Sequence, residues 1–226
     1  MAKIDLITHY DALSPISEGY RAIRINLQFA GADKTLQVVG VTSSSPGEGK
    51  STTVANLAIV MAQDNKKVLI IDCDLRKPTQ HKKFEIEQDG LTNALVRGKA
   101  LDALVQHDVF PNLDILTSGP IPPNPSELLG SHKMAEIIAW AREHYDYVLI
   151  DLPPILAVAD AAVIGNMVDG VLMVVASGSM TPNEAMDAKK RLQQAGVTIL
   201  GVILNKMPQQ RRYGYYQYYY HDDDKL

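Results

Sequence analysis

Ser44-Ser45-Pro46-Gly47-Glu48-Gly49-Lys50-Ser51-Thr52 lies between a short apolar run, Leu36 to Val41, and an amphipathic stretch, Thr53 to Gln63. A glycine-rich turn that follows a strand, opens a helix and closes on Gly-Lys-Ser is the pattern of a triphosphate-binding loop. Gly47 and Gly49 let the backbone approach phosphate oxygens, and successive amides with the helix N-terminus form a concave anion site. Lys50 reaches the β- and γ-phosphates and the Ser51 hydroxyl ligates Mg²⁺. Pro46, Gly47, Glu48, Gly49, Lys50, Ser51 and Thr52 are therefore the expected nucleotide contacts. Ser44 stands where the strict pattern has its first glycine. An ordinary Ser/Gly-rich loop is the alternative, and the strand before and helix after decide against it.

Outward from the loop, apolar runs and amphipathic stretches alternate. The expected strands are Leu36 to Val41, Val68 to Ile71, Leu113 to Leu116, Tyr147 to Ile150, Val171 to Val175 and Ile199 to Leu204. Several are nearly continuous in Val, Ile and Leu, as parallel strands covered on both faces are. Helices are expected over Thr53 to Gln63, Ser126 to His144 and Pro182 to Ala195. Asn124-Pro125-Ser126-Glu127 and Thr181-Pro182-Asn183-Glu184 each offer a cap, a proline at the first helical position and a nearby glutamate. Gly196 supplies a stop. A further helix, about residues 15–30, starts at Ser14-Pro15 and puts Ile16, Tyr20, Ile23 and Leu27 on one face. The alternation predicts an α/β fold: a single P-loop domain over residues 1–206, with a mostly parallel central sheet flanked by helices.

From Met207 the composition turns polar and aromatic, which reads as a flexible tail over 207–226. Six of the ten tyrosines, Tyr213, Tyr215, Tyr216, Tyr218, Tyr219 and Tyr220, lie in one run before Asp222, Asp223 and Asp224. Tyrosines usually pack in cores or interfaces, but this run follows neither a strand nor a helix period. Accessible phenols beside acidic residues suit phosphate acceptors; a binding or aggregation-prone segment is the alternative.

The net charge of −4 argues against a nucleic-acid protein that works by phosphate neutralisation. A single cysteine, Cys73, leaves no internal disulfide and fits a reducing compartment. With no signal pattern and no apolar run of membrane length, the chain reads as cytoplasmic, with membrane association left to a partner.

Two apolar runs end in carboxylates. Tyr147 to Ile150 leads into Asp151-Leu152-Pro153-Pro154, and Val68 to Ile71 leads into Asp72-Cys73-Asp74-Leu75-Arg76. Strand-end aspartates are often mere turn residues. Beside a phosphate loop, at the carboxyl ends of parallel strands, they belong where open α/β folds bind ligands. Phosphoryl transfer asks for little beyond positioning and charge stabilisation. One aspartate can orient or deprotonate a phenol, whose reference pKa is ~10.

At these residues the sequence resembles the bacterial tyrosine kinases of capsule and exopolysaccharide synthesis, in their stand-alone form. The resemblance covers nearly the whole chain and rests on the loop, the Asp72–Arg76 segment, Asp151 to Pro154, Pro122 to Leu129 and the tyrosine run. Glu18, Arg21 and Arg24 match the family's oligomerisation motif; on charge pattern alone they are a solvated helix face. The family implies ATP and Mg²⁺ as cofactors and a ring-shaped homo-oligomer whose tails are phosphorylated in trans. It also implies a membrane-spanning activator of the polysaccharide chain-length type, which recruits the kinase to the inner face of the cell membrane. By the same resemblance Lys50, Asp72, Asp74 and Asp151 are catalytic, with Ser51, Asp72 and Asp151 in the metal environment and Asp74 the base. Spacing alone does not separate Asp72 from Asp74. Arg76 joins the nucleotide contacts, and Asn205 is an adenine contact by similarity to related ATPases, with a turn residue as its alternative. Six phosphates would add about −9 to −12 charge per subunit, and a cycle driven by that charge needs a tyrosine phosphatase. The rival function is a partitioning-type ATPase that switches oligomeric state without phosphorylating tyrosine. A scaffold that uses nucleotide only for shape is a third reading, against which the intact lysine, serine and aspartates count.

Overall fold

A computed structural model describes residues 5–30 and 36–208. The tyrosine run and Asp222 to Asp224 lie outside the described residues, as does most of the expected 207–226 tail.

The elements follow the alternation: α1 (Ile7–Tyr10), α2 (Pro15–Ala30), β1 (Val38–Ser43), α3 (Lys50–Gln63), β2 (Val68–Asp72), α4 (Gln80–Lys83), α5 (Leu91–Arg97), β3 (Gln106–Phe110), β4 (Leu113–Leu116), α6 (Pro125–Leu129), α7 (His132–His144), β5 (Tyr147–Asp151), α8 (Asp160–Gly165), β6 (Gly170–Ala176), α9 (Pro182–Gln194) and β7 (Ile199–Asn205). The seven strands form one sheet in the order β3-β4-β2-β5-β1-β6-β7. Every pairing is parallel except that of β3 with β4.

Continuous apolar strands are explained by two buried faces. Along β2, Leu69 and Ile71 join one core and Ile70 the other; along β5, Val148 and Ile150 part from Leu149 in the same way. One core takes side chains from α5, α7, α8 and α9. The other takes α3 and, from α2, Leu27 with the partly buried Tyr20 and Ile23. The side chain of Ile16, expected on that face, is exposed. No helix among the described residues is long and apolar enough to cross a membrane.

Three local expectations need correction. The stretch from Ser126 to His144 is two helices, not one. Ser131 interrupts it by accepting a hydrogen bond from Met134 N at 3.3 Å, a side-chain cap that competes with helix continuation. The edge strand β3 has a partly exposed, mixed sequence, an irregular register and a left-handed Asp108, so it carries no apolar-run signal. Asn124 does not cap α6; its amide donates to Glu127 Oε2 at 2.7 Å. At Thr181 the expected capping box forms in full, and Gly196 follows α9 with φ +76°.

β1 sits between β5 and β6, while the chain passes from β1 through α3 to β2 on the far side of β5. The carboxyl ends of β1, β5 and β2 therefore lie side by side. In register, Asp72 stands opposite Asp151.

Candidate active site

The loop leaves β1 and turns into α3 through two left-handed glycines, Gly47 (φ +83°) and Gly49 (φ +95°). A side chain at Gly49 would be strained by that backbone and would collide with the Asn205 amide. Glu48 is buried and braces the loop. Its Oε2 accepts from Ser45 N at 2.8 Å, and its Oε1 accepts from Ala176 N at 3.3 Å. Asn205 Nδ2 donates to Glu48 O at 2.9 Å, so Asn205 backs the loop from the end of β7.

A cavity of about 570 Å³ opens over the loop. Pro46, Gly47, Gly49, Lys50, Ser51 and Thr52 line it from the loop side, with Asp74, Arg76 and Thr79 on the β2 side and Pro153 and Pro154 beyond β5. Glu48, Asp72, Asp151 and Asn205 are not among its lining residues.

Lys50 is the hub. Its Nζ lies 2.8 Å from Asp74 Oδ2, 3.0 Å from Asp151 Oδ1 and 3.2 Å from Ser51 Oγ. Burial alone would lower the ammonium's pKa, but Asp151 and then Asp74 outweigh it and hold the group above its ordinary value. The lysine is thus a cation at neutral pH.

The two β2 aspartates do different things. Asp72 is fully buried, and its carboxylate holds the backbone that follows it. Oδ1 accepts from Asp74 N at 3.2 Å, and Oδ2 accepts from Thr79 N and Gln80 N, each at 3.1 Å. Burial first and the Asp151 carboxylate second push its carboxyl up, to about 7, against the backbone donors and Lys50. Asp74 accepts from Lys77 N at 3.0 Å through Oδ1 and turns Oδ2 toward Lys50 at the cavity wall. Between them, Cys73 is buried among the carboxylates, so burial and then Asp72 raise its thiol well above the ordinary value.

Arg76 reaches the cavity wall under tether. Its Nε donates to Asp160 Oδ2 at 2.9 Å and its Nη2 to Ser126 Oγ at 3.2 Å. Asp160 and Ser126 were not among the sequence-predicted residues. Neither was Gln80, whose side chain bridges Ser51 and Asp151. These contacts span 29 to 84 positions in the chain, and no local pattern announces them.

Glu18, Arg21 and Arg24 lie on α2, away from this cavity. Arg21 Nη1 pairs with Glu18 Oε2 at 2.7 Å, while Arg24 Nη1 reaches Asp64, just past the end of α3, at 3.1 Å.

The oxygens of Ser51, Asp74 and Asp151 already converge on one cationic nitrogen. That hard donor set suits Mg²⁺, which is bound by one or two carboxylates, waters and substrate phosphates. Among the described residues no group of three or more His, Cys, Asp or Glu side chains could cage a metal unaided.

A family model described as an AAA domain matches residues 36–183. The tyrosine-protein kinase YwqD of Bacillus subtilis (strain 168) is 50% identical over 203 residues, which is 88% of this chain and 86% of that one. The kinase domain of the Escherichia coli tyrosine kinase ETK superposes with a TM-score of 0.90 at 37% identity, covering 95% of this chain and 85% of that one. A more distant likeness is the septum site-determining protein MinD of Pyrococcus horikoshii OT3, complexed with Mg-ADP, with a TM-score of 0.66 at 25% identity over 78% of this chain and 72% of that one. A loop that presents Lys50 to Asp74, just past β2, and to Asp151, the last residue of β5, on a fold shared along its length with these kinases, places the chain in the family of bacterial tyrosine-protein kinases.

Proposed function

We propose that the chain is an ATP-dependent protein-tyrosine autokinase. It phosphorylates Tyr213, Tyr215, Tyr216, Tyr218, Tyr219 and Tyr220 in trans and regulates capsular or exopolysaccharide synthesis or export. The observation that carries the reading is the placement of Asp74: a carboxylate at the cavity wall, 2.8 Å from the loop lysine. Asp72, by contrast, is spent on backbone N–H groups.

The loop amides and Lys50 bind the triphosphate, with Pro46, Gly47, Glu48, Gly49, Ser51, Thr52 and Arg76 around it and Asn205 toward the base. Lys50 leaves its carboxylates for the phosphate oxygens and stabilises the charge that develops there. Asp74, released, takes the phenolic proton. The phenolate oxygen forms its bond to the γ-phosphorus as the bond to the β–γ bridging oxygen breaks, and ADP departs with that electron pair. Ser51 and Asp151 would hold Mg²⁺, with Asp72 behind them, and the ion would supply charge neutralisation for the triphosphate. A proline-lined wall at Pro153 and Pro154 suits an aromatic acceptor.

The same reading takes the chain as a homo-oligomer, a ring assembled through Glu18, Arg21 and Arg24. A membrane-spanning activator recruits it to the membrane, and a tyrosine phosphatase resets it. The trans step is tested by mixing two chains, neither of which can modify its own tail: Lys50→Met, inactive with its tyrosines intact, and a chain with an intact site whose six tyrosines are changed to Phe. Phosphate on the Lys50→Met chain is the expected result. Phosphate in neither chain of the mixture, from an active wild type, would overturn transfer between subunits.

A further inference from the structure

Gln80, the first residue of α4, is fully buried and stands at the junction of three site elements. Its Nε2 donates to Asp151 Oδ2 at 2.8 Å and to Ser51 O at 3.0 Å. Its backbone N–H donates to Asp72 Oδ2 at 3.1 Å. A carboxylate and a carbonyl only accept, so the chemistry of the partners fixes which amide atom faces them. The loop helix, the end of β2 and the end of β5 are thus pinned by one residue. The remaining amide oxygen, Oε1, is buried and finds no partner among the described residues.

The consequence appears when nucleotide enters. Asp151 uses Oδ1 for Lys50 and Oδ2 for Gln80. Once Lys50 turns to the phosphates, the Gln80 amide is the donor that still holds the Asp151 carboxylate. A neutral donor fixes the rotation of a carboxylate without cancelling its charge, and leaves Oδ1 facing the place the lysine vacates. Partners of this kind, standing behind a ligating group, typically set metal affinity by 10–100-fold. An apolar residue at 80 would strand Oδ2 in the interior with no donor, which penalises the charged form.

We propose that Gln80 is a positioning residue for the Mg²⁺-nucleotide complex: it orients Asp151 and Ser51 so that the loop accepts nucleotide with its cation. This rests on reading the loop as the Mg²⁺-ATP site. The test is calorimetric binding of ADP across a series of free Mg²⁺ concentrations, with no turnover required. In Gln80→Met the half-saturating Mg²⁺ concentration should rise about tenfold. ADP affinity without Mg²⁺ should be unchanged, and affinity at saturating Mg²⁺ should return to that of the wild type. A residue that merely packs would weaken both arms in parallel, with no rescue by Mg²⁺. Parallel loss, or a wild-type Mg²⁺ dependence in the folded variant, overturns the proposal. If Gln80→Met does not fold by circular dichroism, Gln80→Leu replaces it; failure of both to fold assigns Gln80 to packing and also overturns the proposal. Failure of the wild type to bind ADP at any Mg²⁺ concentration would instead remove the nucleotide-site reading on which the inference stands, and ADP binding indifferent to Mg²⁺ would remove its cation.

Discussion

Replacing Asp74 with Asn should separate the proposed base catalysis from nucleotide binding, because its two oxygens have different partners. Oδ1 accepts from Lys77 N at 3.0 Å, a bond the Asn carbonyl retains, so the turn after β2 survives. Oδ2, at the cavity wall and 2.8 Å from Lys50, becomes an amide nitrogen that cannot take a proton. Loss of a general base costs about 10²–10⁴ in rate, equivalent to about 3–5 kcal/mol of barrier. Nucleotide affinity should hold or improve, since the change removes an anion beside the triphosphate and loosens Lys50, which keeps Asp151. Single-turnover transfer of phosphate from bound ATP measures the rate; calorimetry measures the affinity. Transfer at the wild-type rate would refute the reasoning. A normal rate per bound ATP with affinity collapsed would mean that Asp72 and Asp74 have exchanged roles.

Three further outcomes are expected. Arg21→Ala with Arg24→Ala should shift the protein to smaller species in light scattering and lower phosphorylation in trans, and unchanged mass at matched concentration would return the triplet to a solvated face. Both arginines also bind within the chain, Arg24 to Asp64 and Arg21 to Glu18 and the Ala12 carbonyl, so circular dichroism of each variant separates assembly from folding. The Asp72 carboxyl, raised to about 7 from an unfolded reference of ~3.9, binds its proton more tightly in the folded state. Stability from that proton is full below the unfolded value and lost as pH rises through the folded one. Denaturant midpoints of the nucleotide-free chain should therefore favour pH 5 over pH 8, by a margin that shrinks in Asp72→Asn; an equal margin would refute it. Asp169 joins β1 to α7: its carboxylate accepts from both terminal nitrogens of Arg142, at 2.9 and 2.7 Å, and from the N–H groups of Gln37 and Val38. Burial opposes its ionisation, but Arg142 and those amides hold its carboxyl below the usual range. Asp169→Ala should cost about 3 kcal/mol at pH 7, and the deficit should fade in acid as the wild-type carboxyl is protonated; a deficit constant with pH would refute the ionic account.

What could be read from the sequence was whatever is encoded locally. The Gly47–Ser51 turn, the apolar strands β2 and β5 and the aspartates that end them each fit within a few residues, so strand, loop and carboxylate could be placed before any contact was known. The division of labour between Asp72 and Asp74 could not. It depends on where the backbone from Thr79 to Gln80 folds back, and two residues two apart on an extended segment look alike until that turn exists. Gln80, Asp160 and Ser126 act through partners up to 84 positions away, and a glutamine or serine in a polar stretch gives no sign of burial. Strand β3 escapes detection for the complementary reason: it is a partly exposed edge held by pairing with β4, and its two apolar residues, Val109 and Phe110, are adjacent and form no run or alternation to reveal it.

The most direct test of the account is site-resolved mass spectrometry of the purified protein after incubation with ATP and Mg²⁺, with Lys50→Met treated in parallel. The account predicts phosphate on the tyrosines from Tyr213 to Tyr220 in the wild type and none in the variant. Turnover of ATP by the wild type with no phosphotyrosine anywhere in the run would contradict it, and would leave a nucleotide-driven switch of the partitioning type in place of a kinase.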